Sequence, residues 1–359
     1  MNEGIAQGAR NLLLNCAGAK AGDRVLLVGE QCAEPFFDAR LCEEVARVCS
    51  ELDMRPTVVL AEPGASAEHF PAAVAEAMQE TDVTCFFSRL GDQLRFLKSP
   101  GNSTKVMCYT LDCEHLAAPF ATADYHAMQA VHDRLFQQIK GSKTYTIESS
   151  NGTALSAELP ADNAEASPLA TEFSLALFPV MIFPPIHFYR LQGRLVLEHF
   201  LTSSSTRAYA DSVLLLDSPV TLHVEDSRIV DIDGDAALVK KLRSQLERAA
   251  SITGGDPWRL NSWHTGINPY TFFNGDPYRD LERWGTVAYG SPRYTHIHAA
   301  GNDPGDISIQ LFDASIRFDD VSAWDSGRFS YLDSPDLDDL LSSAEREWLN
   351  PDIRLDIGV

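Results

Sequence analysis

The chain has 359 residues, of which 45% are hydrophobic and 9% aromatic, as expected for a globular protein with a sizeable core. That length favours about two domains. There are 29 lysines and arginines against 51 aspartates and glutamates, and the formal net charge of −22 argues against nucleic acid and anionic membrane surfaces as partners.

The N-terminus and the cysteines indicate a cytoplasmic protein. Residues 1–18 lack the basic and long apolar segments of a secretory signal, and no run of about 20 apolar residues predicts a membrane span. The seven cysteines all lie in the first third of the chain, and none forms a Cys-x-x-Cys pair. An odd number of cysteines without metal-binding spacing is typical of reduced thiols in the cytosol.

Helices and strands alternate in the first part of the chain. The apolar spacing predicts helices at 4–20, 36–52, 71–79 and 125–140 and strands at 24–28, 57–61, 83–87 and 105–109. This alternation is typical of a doubly wound parallel sheet, so we predict an α/β domain over residues 1–160. The turn Gly29-Glu30-Gln31 lacks the Gly-x-Gly-x-x-Gly pattern, which argues against a dinucleotide site.

The remainder of the chain is rich in strands. Asn151-Gly152 separates two β-rich runs and predicts a hairpin of strands 143–147 and 155–159. The polar residues 160–168 predict a linker, after which residues 169–359 form a strand-rich α+β domain. Further strands are predicted at 212–216, 220–224 and 228–232, and helices at 236–250 and 340–349.

Several segments along the chain carry a family resemblance. They are Ala-Gly-Asp-Arg-Val-Leu at 21–26, the hairpin at 144–155, residues 219–234, and the loop Gly-x-Asn-Pro at 266–269. In order and spacing they resemble the aminopeptidase T-type metallopeptidases and their relatives, the 2,5-dihydroxypyridine dioxygenases. The resemblance implies an aminopeptidase T-like fold, a homodimer formed through the C-terminal half, and a metal held by carboxylates and histidines.

The first two ligand positions of the family are altered in this sequence. His187, in Pro-Pro-Ile-His-Phe, aligns with a glutamate in a Pro-Gly-Gly-Glu-Val segment. The second ligand is glutamate in the peptidases and histidine in the dioxygenases, and Ser262 takes its place. His264 lies two positions away. A serine hydroxyl is a weak substitute for either ligand.

The last ligand positions are altered as well. His296 aligns with a family histidine if one residue is inserted before Gly301, and Leu311 replaces the histidine of the final His-x-Asp pair, of which Asp313 remains. The resemblance therefore implies a dismantled metal site and no cofactor. The alternative is a rearranged iron or zinc site, since an aspartate with two histidines suits non-haem iron. Its ligands are His187, His264, His296 and Asp313.

Each of these residues also has a structural interpretation. His187 lies among aromatic residues, which favours a packed, hydrogen-bonded core histidine. His296 and His298 are two apart on a predicted strand and share a face, so they are either a ligand pair or part of a solvated face. Asp313 is either a functional residue or a side chain that hydrogen-bonds to a loop.

The missing ligands favour a metal-free peptide-binding protein. An aminopeptidase-like fold can keep a groove for an extended peptide after the metal is lost. The chain resembles metal-less relatives that bind peptides in ribosomal-peptide natural-product pathways such as crocagin biosynthesis. This resemblance implies a precursor peptide and the modifying enzymes of that pathway as partners. The candidate ligand-binding residues are His187, Ser262, Trp263, His264, His296, His298, Leu311 and Asp313.

Aromatic residues are expected near the groove, although a core or a dimer interface explains them equally well. They are Trp258, Trp263, Tyr270, Phe272, Phe273, Tyr278 and Trp284.

Two other functions stay open. One is a true metalloenzyme, either an aminopeptidase or a ring-cleaving iron dioxygenase, and the other is a structural subunit of an assembly. Whether the chain is an enzyme is therefore undecided at this level.

Overall fold

A computed structural model describes residues 2–31, 36–62, 70–97, 101–160, 169–204, 211–351 and 355–359. The predicted linker lies almost entirely outside these residues. The helices are α1 (Glu3–Arg10), α2 (Arg40–Glu51), α3 (Ala72–Gln79), α4 (Leu90–Gln93), α5 (Cys113–Ala117), α6 (Pro119–Thr122), α7 (Tyr125–Gly141), α8 (Ala236–Thr253), α9 (Leu281–Ala288) and α10 (Ser343–Leu349). In the described part of the chain, no helix combines the length and the apolarity that crossing a bilayer requires.

The strands form two sheets. They are β1 (Arg24–Glu30), β2 (Arg55–Ala61), β3 (Val83–Phe87), β4 (Thr104–Cys108), β5 (Thr144–Glu148), β6 (Ala154–Glu158), β7 (Ala176–Phe178), β8 (Ile186–His187), β9 (Tyr189–Leu197), β10 (Phe200–Ser203), β11 (Leu214–Leu215), β12 (Val220–Glu225), β13 (Arg228–Asp233), β14 (Asp256–Thr265), β15 (Tyr294–Gly301), β16 (Ile307–Phe312), β17 (Ser315–Phe318) and β18 (Val321–Trp324).

The smaller sheet is parallel, as the alternation of helices and strands predicted. Its order is β2-β1-β3-β4-β7, and every pair within it is parallel. The burial pattern is consistent with a parallel sheet, because β3 is buried along its whole length and β1 is buried after its first residue. Helices cover both faces of a parallel sheet, so its strands are buried on both sides and have continuous apolar sequences.

The larger sheet has 13 strands within the described residues, and its pairings are antiparallel. Its order is β11-β10-β16-β15-β14-β13-β12-β9-β6-β5-β17-β18, with β8 paired to β14. The predicted hairpin is confirmed as β5 and β6, and Gly152 adopts a φ of 101° in its turn.

The division between the sheets does not coincide with the predicted linker. The hairpin of β5 and β6 precedes residue 160 and yet belongs to the larger sheet, whereas β7 follows residue 169 and completes the parallel sheet. The first hydrophobic core also takes in Phe200, Trp284 and Tyr294 from the second half of the chain. The two halves therefore share one packed junction.

Helix α8 fixes the central strands of the larger sheet. The Asp235 side chain caps its N-terminus by accepting from the backbone N–H groups of Ala237 and Leu238, and Gly254 ends it in the left-handed region. Its buried stripe packs against β14 and β15. The stripe consists of Leu238, Leu242, Leu246 and Ala249.

Candidate functional site: a buried histidine group beside an aromatic cavity

Three histidines lie on one face of the two central strands. Strand β14 pairs with β15 so that Ser262 is opposite His298 and His264 is opposite His296. Successive side chains of a strand point to opposite faces, so these four share one face. Trp263 lies on the other face, in the hydrophobic core.

The three imidazoles converge. The Nε2 atom of His298 lies 3.2 Å from the Nε2 atom of His264. The ring centroids of His264 and His296 are 3.7 Å apart, and those of His296 and His298 are 4.9 Å apart. Each of the three histidines offers one potential metal-ligand atom, and these three atoms all lie within 4.8 Å of one another. Within the described residues, no other histidines, cysteines or carboxylates form such a group.

Burial keeps these histidines neutral. Their exposed fractions are 1% for His264, 1% for His296 and 5% for His298. Loss of solvation lowers the pKa of His264 and His296 well below the ordinary value, and neighbouring imidazoles lower it further. Burial, together with the charge of Arg95, lowers the pKa of His298 to about 3. At neutral pH each ring therefore offers a lone pair.

A buried charged pair from the parallel-sheet half lies near the histidines. Arg95 places its Nε atom 3.3 Å from Asp92, and both side chains are almost fully buried. The Tyr109 hydroxyl donates to the same carboxylate at 2.7 Å. Burial raises the pKa of Asp92, and the guanidinium opposes that rise. Sequence reasoning missed these residues, although a charged pair inside the apolar run of residues 83–97 was an available signal.

The other predicted site residues do not join the histidine group. Ser262 donates its hydroxyl to the carbonyl of Pro304 at 2.7 Å. His187 is opposite Ser262 on β8, and its Nε2 atom lies 2.8 Å from the Thr171 hydroxyl. Leu311 is fully buried in the second hydrophobic core.

Asp313 is held by an arginine. The Nε atom of Arg293 donates to Asp313 at 3.0 Å, and the Nη2 atom donates at 3.3 Å. Asp313 and His187 both lie outside the histidine group of the described residues. The alternative ligand set of two histidines, His187 and Asp313 is therefore not assembled. The metal centre that the resemblance implies, with its carboxylate, does not fit these residues.

A cavity of about 390 Å³ lies next to the histidine group. Its lining includes Tyr289, Tyr294 and Gln310. The Tyr289 and Tyr294 rings lie 4.5 and 5.5 Å from the His296 ring, and Gln310 is the partner of His296 on β16. The cavity therefore ends on an aromatic layer behind which the imidazoles lie.

Exposed apolar side chains also line this cavity. Leu215 is 52% exposed, Tyr278 is 48% exposed and Val213 is 47% exposed. Of the aromatic residues expected near a groove, Tyr278 and Trp284 line this cavity. Tyr270, Phe272 and Phe273 line another cavity, whereas Trp258 packs beneath Arg243 and Trp263 is in the core.

The fold and this site define a mixed α/β protein with a parallel sheet and a large antiparallel sheet, and a buried histidine group lies on the antiparallel one. Neither a family model nor a curated protein matches the sequence.

The fold matches solved structures, among them the following two. One is 2,5-dihydroxypyridine dioxygenase from Pseudomonas putida KT2440, with a TM-score of 0.60 and 12% identity, covering 92% of this chain and 97% of that one. The other is wild-type AmpT from Thermus thermophilus, with a TM-score of 0.51 and 12% identity, covering 91% and 99%. These matches confirm the predicted architecture.

Proposed function

We propose that the protein binds an extended peptide in the cavity lined by Tyr278, Trp284 and Tyr289 and along the adjoining edge of β11. The observation that carries the proposal is the junction of these two features. A cavity lined by both aromatic and polar residues adjoins the terminal strand of a sheet, and exposed apolar side chains connect them. Peptides that add to a sheet edge gain affinity from backbone hydrogen bonds and specificity from side-chain pockets.

Strand β11 offers the edge. It pairs with β10 through Phe200 opposite Leu215 and Leu201 opposite Leu214. Its other side has no strand partner among the residues that the structure describes. Unpaired backbone groups at a sheet edge are a template for another chain. Leu215 of β11 and Val213, two residues before it, are both exposed, line the cavity and would contact the side chains of a bound peptide.

The cavity favours a neutral or basic peptide with an apolar side chain. Tyr278, which is 48% exposed, supplies aromatic surface for such a side chain, and the buried rings of Trp284 and Tyr289 form the wall behind it. Two acidic residues, Asp280 and Glu282, and one basic residue, Arg279, lie on the cavity wall, which leaves an excess of one negative charge there, and the chain carries a net charge of −22. Acidic surfaces attract basic segments and repel acidic ones.

Binding of this kind uses no metal. A carboxylate–histidine metalloenzyme would need the carboxylate of Asp313, and Arg293 holds that group in a bidentate ion pair. The peptide site instead uses backbone hydrogen bonds and apolar contacts. A bound peptide held in one conformation also has its reacting groups close together, which is sufficient to favour a ring-forming step.

The biological setting follows from the family resemblance. We propose a precursor peptide of a ribosomal-peptide pathway as the ligand, the modifying enzymes of that pathway as further partners, and a homodimer in the cytoplasm. The cysteines support the reduced compartment, since the six that lie in the described ranges are free thiols. Desolvation raises the pKa of Cys42 and Cys49 to about 12, as expected for unreactive buried thiols.

Peptide selection tests this site. A random peptide library displayed on phage is expected to yield ligands with apolar residues at alternate positions. Leu215→Asp should weaken binding of a selected peptide by about 10- to 100-fold, because it removes the burial of one leucine side chain. Fluorescence anisotropy measures the affinities.

Val230→Asp is the matched control, because Val230 is an exposed aliphatic residue on β13, outside the cavity lining. We expect it to leave the affinity unchanged. The proposal fails if no selected peptide binds more tightly than about 1 mM, or if the two variants weaken binding equally.

A further inference from the structure

We propose that His264, His296 and His298 form an all-histidine site for one divalent transition-metal ion, with zinc as the best match. The proposal does not depend on the peptide site. Zinc binds imidazole nitrogens at about 2.0–2.1 Å in tetrahedral geometry, which places two bound nitrogens roughly 3.3 Å apart. The observed separation of the His264 and His298 Nε2 atoms is 3.2 Å.

The hydrogen bond of His264 orients its ring for metal binding. Its Nδ1 atom lies 2.9 Å from the carbonyl oxygen of Phe183. A carbonyl only accepts, so Nδ1 carries the proton and Nε2 offers its lone pair to the group. A ligating histidine that donates its other N–H to a backbone carbonyl is the usual arrangement around protein-bound metals.

The other two imidazoles complete the set. Because the Nε2 atom of His264 carries a lone pair, we assign the proton of the 3.2 Å contact to Nε2 of His298 when no metal is bound. Metal binding moves that proton to Nδ1 of the same ring, so His298 changes tautomer and no net proton is released. His296 is buried, and its Nδ1 atom has no hydrogen-bond partner within the part of the chain that the structure describes. Most buried polar atoms have a hydrogen-bond partner, so the His296 ring carries an unused lone pair or N–H that a ligand can satisfy.

The surrounding charges are compatible with a cation. Arg95 opposes a positive ion, and the carboxylate of Asp92, 3.3 Å from its Nε atom, offsets that charge. Three histidines without a carboxylate form a neutral ligand set that leaves one coordination position open. This set differs from the carboxylate-containing one that the family resemblance implies, because Asp313 is held elsewhere by Arg293.

Metal titration of the full chain tests the site. The protein is first stripped with a chelator and then titrated with zinc in competition with a chromophoric chelator, and with cobalt(II) followed by visible absorption. We expect one ion per chain and the intense visible bands of tetrahedral cobalt. His298→Gln should reduce the affinity by at least about 100-fold, since it removes a direct ligand.

His223→Gln is the matched control, because His223 is a partly exposed strand histidine that pairs with Asp233. It should bind zinc like the unaltered chain. Circular dichroism establishes that both variants are folded, and zinc K-edge absorption of the unaltered protein should show three imidazoles even if His298→Gln misfolds. A substoichiometric metal content, cysteine or carboxylate ligands in the absorption spectrum, or an equal loss in His223→Gln would overturn the proposal.

A peptide titration with and without chelator separates the two proposals. Retained peptide affinity after metal removal, together with stoichiometric zinc binding, supports both. If the protein binds the peptide but does not bind zinc, the peptide site stands and only the metal site is refuted.

Discussion

Metal-stripped protein is expected to lose stability steeply as the pH falls from about 6 to 4.5. In the unfolded chain, histidines take up a proton near pH 6.5. In the folded chain, His264, His296 and His298 stay neutral far below that pH, and the pKa of His298 is about 3. Between these values the unfolded state binds more protons, so the free energy of unfolding falls as the pH falls.

The expected slope is large. Each histidine contributes at most about 1.4 kcal/mol per pH unit, so three give an upper limit of roughly 4 kcal/mol per pH unit. Urea unfolding followed by tryptophan fluorescence in the presence of chelator measures it. His298→Gln should reduce the slope by about one third, whereas His223→Gln should not change it. A free energy of unfolding that is constant over this range would show that the three histidines are not buried and neutral.

Trp284→Ala is expected to destabilise the protein by about 3–5 kcal/mol. Trp284 is 1% exposed and lies in the first hydrophobic core, where its ring meets Phe200 edge-on at 5.4 Å and Tyr294 at 5.1 Å. Its indole N–H donates to the carbonyl of Ile357 at 2.6 Å. The substitution therefore leaves a cavity and an unsatisfied carbonyl where the two halves of the chain meet.

Urea unfolding measures this loss. We expect the slope of the free energy of unfolding against urea concentration to stay unchanged, as it does when a substitution alters stability alone. Trp258→Ala is the matched control, because that ring is only half-buried beneath Arg243, and we expect it to cost less than about 1.5 kcal/mol. If the two substitutions cost the same, the junction between the halves contributes less to stability than its packing indicates.

The two proposed sites are adjacent but chemically distinct. The aromatic layer of Tyr289 and Tyr294 separates the cavity from His296, since both rings contact that imidazole and also line the cavity. A metal ion behind this layer would stiffen the wall on which a peptide packs. It would not touch the peptide backbone, which is expected to pair with β11.

The sequence predicted the fold well because its signals are local. Apolar spacing identified the alternating elements of the parallel sheet, and Asn151-Gly152 identified the hairpin of β5 and β6. Local signals were weaker at the ends of elements. The strand predicted at 212–216 is reduced to Leu214–Leu215, and the helix predicted from residue 36 begins at Arg40, where the Asp38 carboxylate accepts from the backbone N–H of Arg40.

The site was harder to predict because it depends on contacts between distant segments. The interpretation of His296 and His298 as part of a solvated face is wrong, since α8 covers one face of β15 and the segment carrying Arg95 lies towards the other. No pattern within the sequence places Arg95 near β15, or Arg293 against Asp313. Alignment with a family motif gives the position of a residue along the chain, whereas the partner of its side chain depends on the packed structure.

Hydrogen exchange measured by mass spectrometry is the most direct test of the peptide site. It compares the full chain with and without a saturating concentration of a selected peptide. Binding at the proposed site predicts slower exchange of backbone amides at 213–216 on the sheet edge and at 278–285 on the cavity wall, with little change elsewhere. Protection confined to another surface, such as the cavity lined by Arg293 and Arg328, would contradict the proposed site, as would no protection at all.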